Sequence, residues 1–393
     1  MSGPPELATM RPTWAEIDLR AFDRNVAAIL DRLPKGARFV GVLKANAYGH
    51  GAVELAQRLM AMAGSDSRIV MIAVILLEEA LELQRAGVAL PILVLGPMTA
   101  EQLPIARDHK LTIGVPGPEE LASVCALPGD QDVAIHLKLD SGMGRMGVTE
   151  QELPDVIAQL RGAAHLKVEA LYTHFANAGD RSDPITEQQV ARFRRMGNAL
   201  RDAGIDAPLH HVANSAGTIR GSVSPGELAR VGIWLYGGEP MDDEATRLEP
   251  VMRWRTQIVR LKDLEAGESV GYGLTFRTSR PSRIATLPVG YADGYHRRLS
   301  NQGEVLVRGR RVPVIGRVSM DLVTIDVTDV ADAAIGDEVV LLGRQGEDEI
   351  SAEEIAAKIG TISYEVFCGV GARVPRVYMD GDRIASVRTR FDR

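Results

Sequence analysis

Three features of this chain predict an α/β protein in which an N-terminal (β/α)8 barrel is followed by a C-terminal β-rich domain. At 393 residues it is longer than one hydrophobic core usually organises, so two domains are expected. From Phe39 to Val231 short β-branched runs alternate with longer amphipathic stretches, the pattern of βα units around a parallel sheet. After about Arg247 the pattern becomes short alternating runs broken by glycine turns.

The runs Phe39–Leu43, Ile69–Val74, Pro91–Leu95, Leu111–Val115, Val133–Leu139, Lys167–Tyr172, Leu209–Val212 and Leu228–Val231 read as eight strands. Between them lie helical stretches such as Leu77–Ala86, with apolar residues at helical spacing and acids in the first turn. Eight such units suggest a closed barrel, whose reactive groups sit just beyond strand C-termini. The alternation alone leaves an open doubly wound sheet as the alternative. We assign residues 1–246 to the barrel and 247–393 to the second domain, where Val305–Val307, Arg311–Ile315, Leu322–Val327 and Glu338–Leu342 read as strands and Ala352–Ile359 as a helix. The apolar segment Trp14–Ile17, ahead of a helical pattern over Leu19–Leu33, fits a strand of either domain.

A chain 45% hydrophobic and 25% charged, with no biased tract, is expected to pack as an ordinary globular protein. Its net charge of -7 argues against a nucleic-acid partner. Met1–Arg11 lacks the basic and apolar regions of a secretory signal, and the apolar run Ile69–Leu77 is far short of the roughly 20 residues that span a bilayer. A cytoplasmic protein without a membrane partner is the expectation. Two cysteines, Cys125 and Cys368, are too few for a disulfide framework or zinc cluster and read as buried small hydrophobes; no metal site is expected.

The segment Val42–Gly51 places Lys44 directly behind the first barrel strand. A lysine there becomes a Schiff-base former only in a site that desolvates it and supplies a carbonyl cofactor. Phosphate sites in such barrels form behind strands seven and eight. Asn214–Gly217 offers a hydroxyl and amides behind the seventh, and Arg230–Ile233 a close-approach glycine behind the eighth. With Lys44 they describe a cup for a phosphorylated aldehyde.

The chain resembles the alanine racemase family from Thr13 to Tyr378. The matching motifs run in order: VLKANAYGHG (42–51), HLKLDSGMGRMG (136–147), YTHFANA (172–178), ANSAG (213–217), ARVGIWLYG (229–237), VGYG (270–273), TLPVGYADG (286–294), GRVSMD (316–321), ISYEVFC (362–368) and RVPRVY (373–378). The resemblance implies a pyridoxal 5'-phosphate enzyme that interconverts L- and D-alanine and supplies D-alanine for peptidoglycan. It implies that Lys44 carries the cofactor and is the base for the D enantiomer. Tyr272 would be the base for the L enantiomer, contributed by the partner subunit of a head-to-tail homodimer. Tyr48, Ser215, Gly232, Ile233 and Tyr364 match phosphate contacts, His174 the residue beside the pyridine ring, and Arg230 the partner of its nitrogen. Arg145 and the Met320 backbone match groups that hold the substrate carboxylate. Two lone departures stand out: Ser319, where many relatives have cysteine, and bulky Ile75 and Leu76 in the second helical segment. The rivals are a broader-specificity racemase of the same fold, usually exported, a single-barrel cofactor-binding protein without a second domain, and a decarboxylase with an acid in place of Arg230.

Racemisation moves a proton from one face of Cα to the other, so two acid/base groups on opposite sides suffice. Strand alternation puts His136, Lys138 and Asp140 on one face and Ile135, Leu137 and Leu139 on the other, so Lys138 points into the barrel. A buried neutral Lys138 can capture carbon dioxide as a carbamate, which the resemblance also implies; the alternative is an ion pair with Asp140. His50, His210 and His211 read as structural residues or as supports behind the residues of the site, and Tyr291 as a gate to the site.

Overall fold

The computed structural model describes residues 9–128 and 132–390. Met1–Ala8, part of the segment read above as lacking a signal, lies outside the described residues. Eight parallel strands form the first sheet: β2 (Arg38–Val42), β3 (Ile69–Val74), β4 (Ile92–Val94), β5 (Thr112–Val115), β6 (Val133–Lys138), β7 (Leu166–Tyr172), β8 (Leu209–His211) and β9 (Leu228–Val231). They follow the order β8-β7-β6-β5-β4-β3-β2-β9. The barrel closes between the three-residue β8 and β9 without a ladder. The Arg230 amide instead donates to the Ala213 carbonyl just beyond it, at 3.1 Å. Consecutive residues such as Ile72, Ala73 and Val74 are all buried, so both faces of the sheet are covered, which explains why these strands read as continuous apolar runs.

The helix Leu19–Arg32 shows how the outer layer is built. Asp18 caps it by accepting from the Ala21 amide at 2.9 Å, and Phe22, Val26, Ile29 and Leu30 recur on its buried face. The strand before it, β1 (Thr13–Asp18), settles the question left open by its sequence. It pairs antiparallel with β10 (Met252–Gln257) and parallel with Arg376–Asp380, so β1 belongs to the β-rich sheet although the barrel strands follow it in the chain. That sheet continues through Glu338–Gln345 to Glu304–Val307 and Arg310–Pro313. The run read as extending to Ile315 ends as a strand at Pro313, and Val314 makes an isolated bridge to Ile325.

Ala73 and Val74 belong to β3, and Ile75 and Leu76 to the loop ahead of the helix Leu77–Arg85, not to a helical segment. Ile75 lines the cavity described below, whereas Leu76 is exposed. The β-rich domain seats on the barrel mouth through Arg376, whose guanidinium donates to the Gly49 carbonyl at 3.0 Å. Gly49 and Gly51 permit that approach: a Cβ on Gly51 would lie 1.7 Å from the Tyr378 hydroxyl.

Candidate active site

The C-terminal ends of the barrel strands and the helix Ser363–Gly369 enclose a cavity of about 680 Å³. Lys44, just past β2, Lys138, at the end of β6, and Arg145 and His174, in the following loops, all line it. Ser215, Arg230, Gly232 and Ile233 face them from the β8 and β9 side, and Tyr48 and Tyr364 complete the wall.

Lys44 opens an unusual turn. Ala45, Asn46, Ala47 and Tyr48 all have φ near +53°, a left-handed stretch without a glycine. Each such residue costs roughly 1–2 kcal/mol, so surrounding contacts must hold the turn. Internal bonds run from the Ala47 amide to the Leu43 carbonyl (2.8 Å) and from the Gly49 amide to the Ala45 carbonyl (2.9 Å). The Asn46 side chain caps the next helix by accepting from the Ala52 amide at 2.8 Å. Burial, then the cations of Arg145 and Arg230, lower the Lys44 pKa, which makes the neutral nucleophile more available. Its Nζ has no carboxylate partner among the described residues.

The turn carries the Tyr48 ring back to Gly232. A Cβ on Gly232 would lie 2.5 Å from the Tyr48 hydroxyl, and the Gly232 amide donates to Ser215 Oγ at 3.0 Å. Two hydroxyls and an amide thus converge where a phosphate needs several donors, and the residues fit that group.

Arg230 is buried, and its surroundings lower its pKa to about 10 by desolvation. It donates to the Thr173 carbonyl (2.6 Å), to the His211 carbonyl, to His211 Nδ1 (2.8 Å) and to His174 Nδ1 (3.4 Å). A guanidinium only donates, so both histidines accept at Nδ1. His211 therefore carries its proton on Nε2 and donates to His136 Nδ1 at 2.9 Å. Burial lowers His174 and His136 to about 3, which keeps these rings neutral. Of the three histidines read as structural or as supports of the site, His211 is part of this chain of bonds, whereas His50 is buried against the Ala47 and Tyr48 carbonyls and His210 meets Phe193 edge-on.

Lys138 is buried, with its pKa lowered to about 8 by desolvation first and Arg145 second. The described ion pairs include none between it and Asp140. Asp140 instead accepts from the amides of Gly142, Met143 and Gly144, which shapes the loop bearing Arg145. Cys368 corrects a sequence expectation: it is exposed and lines the cavity, because the buried positions of its helix are Ser363 and Phe367. Cys125 is half-buried. Tyr172, which lies against both Arg230 and Lys138, was not singled out by the sequence.

Two expected site residues stand apart. Tyr272 is 73% exposed on a tight turn between Ser269–Val270 and Phe276–Arg277, and Met320 is 52% exposed; neither lines the cavity. The Ser319–Met320 segment is tied to Tyr291–Ala292 by bonds from the Tyr291 amide to the Ser319 carbonyl and from the Ala292 amide to the Met320 carbonyl, both 3.0 Å. The Met320 N–H takes part in neither, and Ser319 uses only its backbone there. Among the described residues no cluster of His, Cys, Asp or Glu is placed to hold a metal ion, and no helix is long and apolar enough to cross a membrane.

A lysine and a phosphate cradle at the mouth of a (β/α)8 barrel, roofed by a β-rich domain, define a pyridoxal-phosphate enzyme of the barrel class. Residues 17–240 match the alanine racemase N-terminal domain and residues 251–378 its C-terminal domain. An alanine racemase from Halothermothrix orenii is 43% identical over 94% of this chain and 97% of its own. The structure of alanine racemase from Bacillus anthracis with bound L-Ala-P superposes with a TM-score of 0.90 at 36% identity, covering 97% of this chain and 98% of that one. That of the Bartonella henselae enzyme with covalently bound pyridoxal phosphate gives 0.83 at 28% identity, covering 94% and 100%. The chain belongs to the alanine racemase family.

Proposed function

We propose that this protein interconverts L- and D-alanine with pyridoxal 5'-phosphate held on Lys44, as one half of a homodimer in the cytoplasm, and supplies D-alanine for peptidoglycan. The observation that carries the reading is the convergence, in one cavity, of the desolvated Lys44, the Tyr48–Ser215–Gly232 cradle and the buried Arg230. Bound there, the cofactor supplies an electron sink that acidifies the α-proton of an amino acid joined to it. Tyr48, Ser215, Gly232, Ile233 and Tyr364 hold its phosphate. Arg230 would be the partner of its ring nitrogen, and because a guanidinium keeps its own proton it would restrain the sink and favour return of the proton to Cα. His174 would lie beside the ring, and Arg145 would hold the substrate carboxylate together with a Met320 amide supplied by the partner subunit, since Met320 lies outside the cavity of its own chain.

Lys44 Nζ serves one face of Cα. The second base, Tyr272, comes from the partner subunit, because in its own chain it lies outside the cavity. Tyr272, Leu274, Tyr291, Met320 and Leu322 are all exposed large side chains, which contact with a partner subunit would cover, with Tyr291 then acting as a gate. We place the division between the barrel and the β domain at 246/247, with β1 joined to the β domain through its pairing with β10. The purified protein is expected to be yellow, and borohydride to fix the cofactor on the peptide bearing Lys44. Colourless protein that gains no cofactor on reconstitution overturns the reading. Incubation with each common L-amino acid, followed by chiral chromatography, is expected to show alanine as the preferred substrate.

Lys138 is the proposed carbamate. Its neutral Nζ attacks carbon dioxide, an N–C bond forms and one proton is released, leaving an anion that orients Arg145. Neutral amine dominates above a pKa of about 8, so the carbamate is expected to accumulate as pH rises through that value and to drain below it. With 13C-labelled bicarbonate, a carbamate NMR signal should follow that trend and be missing from Lys138→Ala. The same signal in both proteins counts against it.

A further inference from the structure

The helix Leu77–Arg85 begins at the rim of the cavity with Glu78 and Glu79 in its first turn. An acid at the third helical position ordinarily folds back onto the amides ahead of the helix. One oxygen of Glu79 does this: Oε2 accepts from the amides of Ile75 (2.9 Å) and Leu76 (3.1 Å). Capping needs no more than that oxygen. Oε1 reaches instead to the loop of a different strand and accepts from the Ala45 amide at 2.6 Å.

Ala45 follows Lys44 and is the first of the four left-handed residues. The bonds inside that turn use the amides of Ala47 and Gly49. The leading amide is held from outside, by Glu79. A single carboxylate therefore ties the end of β2 to the end of β3 and supports a backbone conformation that alanine disfavours. We propose that Glu79 is a positioning residue for Lys44: it clamps the left-handed turn and so fixes the direction from which the lysine enters the cavity. This rests on Lys44 being the cofactor-bearing residue.

The clamp is also charged. Arg145 and Arg230 face Lys44 as cations and Lys138 as the amine proposed to carry the carbamate, while His174, Tyr48 and Tyr364 face it as neutral rings. Glu365 and Cys368 approach from the helix Ser363–Gly369. Against burial, Arg145 and Arg230, which lower the Lys44 pKa, Glu79 acts to raise it.

Holoenzyme is treated with hydroxylamine and dialysed, and recapture of pyridoxal 5'-phosphate is followed by absorbance across pH, with borohydride fixation to locate the product. Glu79→Gln places an NH2 group where amide protons must be accepted. Its plateau capture rate is expected to fall about tenfold, the scale of one charge-assisted hydrogen bond. The midpoint of its pH profile should move lower, because the carboxylate favouring the charged amine is gone. Glu79→Asp keeps the charge but is too short to span both loops, so it should keep the midpoint and lose the plateau. Glu78→Gln, one position away, should match the wild type. A wild-type plateau and midpoint in Glu79→Gln, even with a lowered Tm, would reduce Glu79 to a helix cap. If Glu79→Gln does not fold, an unchanged plateau in Glu79→Asp overturns the proposal equally. Wild-type protein that fails to capture the cofactor on Lys44 overturns the functional reading itself.

Discussion

Lys44→Ala is expected to lower kcat/KM for alanine in both directions by at least ~10^4-fold, the upper range of general acid–base catalysis, because each direction uses the amine once. Chiral chromatography measures the loss, and the protein should also lack the fixed yellow colour. Stability should move the other way. Lys44 makes no ion pair among the described residues, and burial with the cations of Arg145 and Arg230 outweighs the Glu79 carboxylate in lowering its pKa, so its charge is a cost of folding and not a support. The Tm of Lys44→Ala is expected to equal or exceed that of wild-type protein stripped of cofactor. Methylamine should restore a small fraction of proton exchange. A variant that retains rate, or one that loses several degrees of Tm, would show that Lys44 is structural.

The barrel was legible because its strands are buried on both faces. Apolar runs such as Ile69–Val74 leave little choice of element, and the intervening helices carry clear amphipathic spacing. The partner of Trp14–Ile17 was not legible, since alternation says which residues face inward but not which sheet receives them. Ala15 sits between Trp254 and Arg376, more than two hundred residues away. Strand alternation also put His136 on the face of Lys138, but its bond to His211 depends on the curvature that brings β6 and β8 together.

The candidate site was legible mainly through resemblance. Composition and spacing single out Lys44 and two phosphate-type loops, whereas the parts given to Arg145, Tyr272 and Met320 came from matched motifs. Glu79 was read as an ordinary first-turn acid. Only the left-handed path of Ala45–Tyr48, which no run of alanine and asparagine announces, brings a backbone amide within its reach.

Tyr272→Phe tests the second base and the shared site together. The side chain is 73% exposed, so loss of one hydroxyl should leave folding intact. Racemisation is expected to fall by ~10^2–10^4-fold in both directions, because each needs one group as base and the other as acid. Lys44 still reaches its own face of Cα. In deuterated water the variant should therefore label D-alanine at Cα with retention, much faster than it labels L-alanine or forms either product. An ordinary phenol, with a pKa of about 10, is a poor base at neutral pH and needs a nearby cation; Arg145 of the opposite subunit is the candidate. Coexpression of Lys44→Ala with Tyr272→Phe locates the tyrosine. If Tyr272 enters the partner's cavity, one site of each mixed dimer pairs a native Lys44 with a native Tyr272, and random assortment should restore about a quarter of wild-type activity. If Tyr272 serves its own chain, every site in the mixture lacks one base and the activity stays near zero. Equal residual labelling of both enantiomers by Tyr272→Phe would show that another group is the second base.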